Sequence, residues 1–301
     1  MLDYSSLAAV AAVIREGSFE RAALALYVTA SAVSQRVKLF EERVGAVLVV
    51  RGQPCMPTEL GARLCRHAEL VGMLEADLGA GLSAGAPTRA AGAATVERPT
   101  LRVAVNADSL ATWFIAALAR FAEQENALLD VAIDDQDYTA EWLRRGRVVA
   151  AVGAHGTAVP GCRSVRLGAL RYLATASPEF VRRHFAAGVN AETLRRAPSL
   201  VFNHKDQLQA RWLRRVCRQT VAAPRHWLPS TQAFVDATLA GLGWGMNPGP
   251  LVDALLTSGR LVELVPGQTL TVPLYWQYSR LKVPMLERLT QIVQATAREK
   301  L

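Results

Sequence analysis

The chain has 301 residues, about twice the ~150-residue size at which domains cluster, so two or three domains are expected. Hydrophobic residues make up 51% and charged residues 20%, a balance that excludes a disordered chain and requires no disulfide or metal staple. The formal charge is +8, yet residues 1–66 hold eight Lys or Arg against six Asp or Glu, so bulk charge does not locate a nucleic-acid site.

The first apolar run, Leu7 to Ile14, is eight residues long. That falls far short of the ~20 a membrane-spanning helix needs, and no basic segment precedes it as in a signal peptide. A cytoplasmic chain without membrane contact is expected. Leu7, Val10 and Ile14 repeat at helical spacing, and Gly17 stops this first helix. Ser18 caps a second helix with an apolar stripe of Phe19, Ala22, Ala23 and Leu26; Tyr27 and Val28 turn the chain to a new cap at Thr29.

The third helix is expected from Ala30 to about Val44. At about 100° per residue from Ser31, the polar residues Lys38, Ser34 and Gln35 fall at about 340°, about 300° and about 40°. Val33, Val37, Phe40 and Val44 fall opposite, at about 200°, about 240°, about 180° and about 220°. Such a face suits the DNA major groove, because short Ser side chains permit close approach while Gln35 and Lys38 reach base edges or phosphates. Arg36 points aside, toward phosphate. An amphipathic surface helix has the same face pattern, but the short helix, three-residue turn and polar-faced helix together form a helix-turn-helix, and VLVVRGQPCMPT reads as a hairpin wing with Arg51 placed for phosphate.

Residues 17–61, GSFERAALALYVTASAVSQRVKLFEERVGAVLVVRGQPCMPTELG, resemble the winged helix-turn-helix of LysR-type transcriptional regulators. The resemblance is carried by Ser18-Phe19, Ala22-Ala23, Ser31-Ala32-Val33-Ser34-Gln35, Glu41, Gly45, Arg51, Pro57-Thr58 and Gly61. Ala30 departs from the usual Gln or Pro, removing one base-reading side chain, and Phe40 replaces a common Leu. The DNA-contact set is therefore Thr29, Ser31, Ser34, Gln35, Arg36, Lys38 and Arg51, with double-stranded DNA as partner.

Leu60, Leu64, His67, Val71, Leu74 and Leu78 follow a coiled-coil seam, the pattern of a dimerising helix or of one packed on its own domain. The resemblance favours pairing between subunits, in a homodimer or homotetramer. The stretch GAGLSAGAPTRAAGAATVERP, residues 79–99, has too little large apolar content to pack and reads as a flexible linker.

From Thr100, β-rich runs (LRVAV, DVAID, VVAAVG, RYLATA, SLVFN, VPLYWQY) alternate with helical stretches at 109–124, 139–146 and 206–220, arguing for an α/β domain with largely parallel strands. The five His and four Cys (Cys55, Cys65, Cys162, Cys217) show no metal-ligand or nucleophile-base spacing, so no catalytic centre, metal or cofactor is expected. Gly241-Leu242-Gly243-Trp244-Gly245 lacks dinucleotide-site spacing and reads as a tight helix-to-strand connection.

Three strand-end to helix-start junctions could form a small-molecule site: Asn106-Ala107-Asp108-Ser109, with Asp108 or Ser109 as the helix cap; the acidic run Asp134-Asp135-Gln136-Asp137; and Pro229-Ser230-Thr231. Helix amides with several acids suit a ligand carrying both a carboxylate and a cation. Asp or Ser at a helix start is usually just a cap, and the acidic run reads equally as a solvated loop. Residues 105–114, 143–153, 168–180, 232–243 and 274–278 are similar to the arginine/lysine-responsive ArgP/LysG subgroup. This implies a periplasmic-binding-protein-like effector domain of two subdomains, L-lysine or L-arginine as effector, and an amino-acid exporter gene as target. The implied pocket residues are Asn106, Asp108, Ser109, Asp135 and Thr231. Asp134 stands where relatives often carry Glu, and Asn203 where a relative can carry Asp.

The expected chain is thus an α+β multi-domain protein: a winged helix-turn-helix over 1–58, a dimerising linker helix over 59–78, a flexible linker over 79–99 and an effector domain over 100–301. Two other readings use the same fold, a LysR-type regulator with a different effector, and a ligand-binding protein or enzyme that would leave the N-terminal module without a task.

Overall fold

The computed structural model describes residues 3–84, 98–134, 139–280 and 282–301. The chain divides into two units: Met1–Val105 with Ala117–Val165 and Trp276–Gln294, and Asn106–Ala116 with Arg166–Tyr275 and Ala295–Leu301. The N-terminal helices thus fall in the same unit as part of the expected effector domain.

In the first unit, Asp3 caps α1 (Tyr4–Glu16) through the Ser5 and Ser6 amides, and Gly17 ends it in the left-handed region at φ 73°. The Ser18 hydroxyl accepts from the Arg21 amide to start α2 (Phe19–Ala25), and the Thr29 hydroxyl accepts from the Ala32 amide to start α3 (Ala30–Val44). The apolar stripes read from the sequence meet: Leu7, Val10, Ile14, Ala22, Ala23, Val33, Val37 and Phe40 are buried in one core with Leu48 and Val49. β1 (Val49–Val50) and β2 (Met56–Pro57) pair antiparallel as the wing. Glu41, on α3, accepts from the Leu48 amide at 2.7 Å and the Val49 amide at 3.1 Å, so one carboxylate ties the helix to the wing.

α4 (Glu59–Ala84) runs six residues beyond the expected end at Leu78. Residues 79–84 hold two Gly, yet each residue added to a helix already nucleated gains a backbone hydrogen bond, so a composition read as linker does not by itself stop the helix. Residues 85–97 of that linker lie outside the described residues, as does the Leu78 side chain. Leu60 and Leu64, the first two seam positions, pack against the unit's own core, whereas Leu74 is 45% exposed. Glycine is required at position 61, where a Cβ would collide with the Leu48 carbonyl oxygen.

The chain continues through β3 (Thr100–Asn106), α5 (Ala107–Ser109), a π-helical turn at Leu110–Phe114, α6 (Ile115–Gln124), β4 (Leu128–Asp134), α7 (Thr139–Arg144), β5 (Ala150–Gly153) and β6 (Cys162–Ala176). β3 and β5 are parallel, with Val103 opposite Ala150 and Ala104 opposite Ala151, and β4 lies on the other side of β3. Ala104, Leu143, Val148, Ala151, Val159 and Cys162 form a second core of the first unit.

The second unit holds the C-terminal part of β6, then α8 (Pro178–His184), α9 (Ala191–Arg196), β7 (Ser199–Val201), α10 (Leu208–Cys217), β8 (Arg225–Trp227), α11 (Thr231–Leu239), β9 (Gly245–Pro248), α12 (Gly249–Thr257), β10 (Val262–Glu263) and the first part of β11 (Leu270–Ser279). α13 (Pro284–Lys300) closes the chain. β7 and β8 are parallel, but β6 pairs antiparallel with both β9 and β10. The expectation of largely parallel strands is therefore corrected here, because periodicity reports that a run is a strand and not which way its neighbour runs. The glycine-rich run is the helix-to-strand connection expected: Gly241 takes φ 74° after α11, and a Cβ on Gly245 would strike the Phe234 ring.

Candidate functional site

The helix-turn-helix presents its polar residues as one face of α3. Ser31, Gln35 and Lys38 are exposed, Ser34 and Arg36 partly so, and Val33, Val37 and Phe40 are buried on the other side. Thr29 is occupied as a cap and shares a 3.0 Å hydrogen bond with Ser31, so it orients the helix start more than it offers a free hydroxyl. Lys38 is paired with Glu42 only at 3.9 Å across an exposed surface, a contact weak enough to yield to a phosphate. The Arg51 guanidinium lies over the Phe19 ring, 5.2 Å from its centre, which holds the exposed wing cation beside the start of α2.

The effector residues fall in the second unit, except Asp135, which lies outside the described residues. Asp108 is the centre of the group. Its carboxylate accepts from the Tyr172 hydroxyl at 2.7 Å and from the Thr231 hydroxyl at 2.9 Å. Burial pushes the Asp108 carboxyl above the usual range, against the pull of those two hydrogen bonds. Asn106 (2% exposed) and Ser109 (0%) flank it, and neither the Asn106 amide nor the Ser109 hydroxyl has a hydrogen-bond partner. Buried polar atoms of this kind are costly to leave unsatisfied, so three in one turn mark a place built for polar contact.

Asp108 and Ser109 are not helix caps as expected. α5 begins at Ala107, putting Asn106 in the cap position without a side-chain bond and leaving Asp108 and Ser109 inside the first turn. Asp108 is thereby free to reach across the unit instead of folding back on its own amides. At the third junction Ser230 is the cap and Thr231 the first residue of α11.

Other sequence candidates are used locally. Asp134 accepts from the Trp142 indole at 3.1 Å, and the Asn203 side chain closes a turn by accepting from the Lys205 and Asp206 amides. Tyr172, the partner that completes the Asp108 group, gives no sequence signal, standing on β6 64 residues away. The first unit also contains a cleft of about 870 Å³ whose lining includes Ala11, Arg15, Glu69, Arg102, Trp142 and Arg147, none of them singled out from sequence. There Glu69 of α4 accepts from Arg102 at 3.1 Å, and burial raises its carboxyl to about 7. Among the described residues no three His, Cys, Asp or Glu are grouped to hold a metal ion, and no helix is long and apolar enough to cross a membrane.

Comparison with known families accounts for both regions. Residues 4–62 match the bacterial regulatory helix-turn-helix proteins of the LysR family, and residues 94–298 match the LysR substrate binding domain. The chain belongs to the LysR family. Its LysR-type relatives include the transcriptional regulator ArgP of Pseudomonas aeruginosa, 44% identical over 301 residues, which cover 99% of this chain and 96% of that protein. The crystal structure of ArgP from Mycobacterium tuberculosis is similar at TM-score 0.82 and 43% identity, covering 99% of this chain and 98% of that one. Full-length LysG from Corynebacterium glutamicum, solved with arginine bound as effector, is similar at TM-score 0.76 and 36% identity, covering 100% and 99%. This LysR-type chain is accordingly a transcriptional regulator of the ArgP/LysG type and not an enzyme.

Proposed function

We propose that this regulator reads DNA through α3 and answers to a basic amino acid, L-arginine or L-lysine. The observation that carries the effector reading is the Asp108 group: an acid held by Tyr172 and Thr231, beside the unpartnered Asn106 amide and Ser109 hydroxyl. The acid offers charge to an ammonium or guanidinium, while the amide and hydroxyl supply the donors an α-carboxylate needs. LysG of the same family holds arginine as its effector, which supports the same ligand class here. Asp135, which the subgroup resemblance also names for the effector, lies outside the described residues.

On DNA, Ser31, Ser34, Gln35 and Lys38 face the major groove, Thr29 fixes the helix start, and Arg36 and Arg51 anchor phosphates. The regulator acts in the cytoplasm as a homodimer or homotetramer; the exposed Leu74, next on the α4 seam after Val71, supports pairing along that helix. The target, an amino-acid exporter gene, follows from the subgroup resemblance. Ligand changes DNA binding only as far as it binds the two states of the protein unequally.

Calorimetric titration with L-arginine, L-lysine and a neutral amino acid tests the effector. The expected result is binding of a basic amino acid only, weakened about 100-fold in Asp108→Asn. A bound cation draws the raised Asp108 value back down, so binding releases protons and tightens as pH rises through that value. Equal binding of the neutral amino acid would refute the basic class. On DNA, Arg51→Glu should weaken selected and random duplexes alike, whereas Gln35→Ala relaxes base preference.

A further inference from the structure

Two of the three helices of the DNA-binding cluster end on a glycine in the left-handed region, Gly17 after α1 and Gly45 after α3, both at φ 73°. The third does not. After α2 the same position is taken by Tyr27, at φ 54°. The Tyr27 amide donates to the Leu24 carbonyl at 3.2 Å and the Val28 amide to the Ala23 carbonyl at 3.0 Å, the pair of bonds that closes a helix when the residue between them turns left-handed. Glycine takes that position without strain, and a residue with a Cβ does not. Arg218 is the other non-glycine residue at positive φ among those described.

Packing does not account for the tyrosine. Its side chain is 96% exposed, while its neighbours Leu26 and Val28 pack against the core. A strained backbone that carries an uncovered aromatic ring is retained for what the ring meets outside the fold. The location says what that is. Tyr27 stands two residues before Thr29, the cap of α3, so it adjoins the end of the helix that carries the exposed Ser31 and Gln35. In a helix-turn-helix that end enters the major groove while the preceding helix crosses the sugar-phosphate backbone, and Tyr27 sits between the two. A phenolic hydroxyl is a phosphate donor, and a neutral one.

We propose that Tyr27 contacts DNA, donating its hydroxyl to a backbone phosphate beside the start of α3 and so fixing the register in which the helix is read. This rests on the assignment of α3 as the helix that enters the groove. The test uses the full chain, a 30-base-pair duplex enriched from a randomised pool by the wild type, and a scrambled duplex of the same length. Tyr27→Gly should melt at or above the wild-type temperature, because it relieves the left-handed strain, and Tyr27→Phe should melt with the wild type. Both should bind both duplexes about tenfold more weakly, the loss of one hydrogen bond to a charged group. The salt dependence of binding should stay as in the wild type, because no cation is removed.

Wild-type affinity in either variant overturns the assignment of the hydroxyl, and a lower melting temperature in Tyr27→Gly overturns the claim that the side chain serves nothing within the fold. Gln35→Ala separates the two levels. If it relaxes base preference while the Tyr27 variants bind as the wild type, only the Tyr27 contact fails; if it leaves preference unchanged, the groove assignment fails, and the Tyr27 contact with it.

Discussion

The helix cluster of the first unit and the Asp108 group of the second are built on different scales of the chain. In the cluster, the helix ends are closed by residues a few positions apart: Ser18 with Arg21, Thr29 with Ala32, Gly45 with Glu41. Around Asp108, the partners Tyr172 and Thr231 are 64 and 123 residues away in sequence. Local chemistry leaves a periodic trace that can be read directly, and a site assembled from distant strands leaves none. The difference also separates the energetics, for the cluster is held by apolar burial and the Asp108 group by a few polar contacts in a buried setting.

Three substitutions sharpen this contrast, from the largest expected effect to the smallest. Phe40→Ala removes a ring 1% exposed at the centre of the helix cluster and should cost about 4 kcal/mol, read as a lower denaturant midpoint of the first unit. A change well under that would mean the cluster is not the burial-driven module described.

Glu69 gives the next effect, through pH. Its carboxyl value is raised from 4.5 to about 7, so between those values the folded chain holds more protons than the unfolded one. Stability should therefore fall as pH rises from 4.5 to 7 and level off above, with a total on the order of 3 kcal/mol. Glu69→Gln, which cannot ionise, should flatten that slope in thermal melts. A slope that persists in the variant assigns the pH dependence to another group.

Asp108→Asn carries the smallest stability effect and the opposite sign from most polar substitutions. Burial disfavours the charged carboxylate, so the neutral amide should leave the melting temperature at pH 7 unchanged or raise it slightly, while ligand binding weakens about 100-fold. A variant that melts lower would make Asp108 a structural anchor rather than a group kept for its ligand.

How far the sequence could be read follows the same division. The bounds of α3, Ala30 to Val44, and its cap are legible because each signal sits beside the residues it acts on. The six runs read as strands are strands, yet the antiparallel pairing of β6 with β9 and β10 is not written in them. Asp108 is legible as a candidate but not as a hub, since nothing within its own segment points to Tyr172. The expected cap at Asp108 or Ser109 fails because β3 runs directly into α5 at Asn106, one turn earlier than the polar residues suggest. Tyr27 is legible as a turn residue; its exposure and left-handed backbone emerge only from the fold.

The central claim is that one chain couples α3 on DNA to a basic amino acid at Asp108. The direct measurement is the affinity for a wild-type-selected duplex with and without saturating L-arginine and L-lysine, in wild type and in Asp108→Asn. The account predicts that a basic amino acid shifts the wild-type affinity, and that the variant binds the duplex like the unliganded wild type and does not respond. A variant that responds as the wild type does would contradict it.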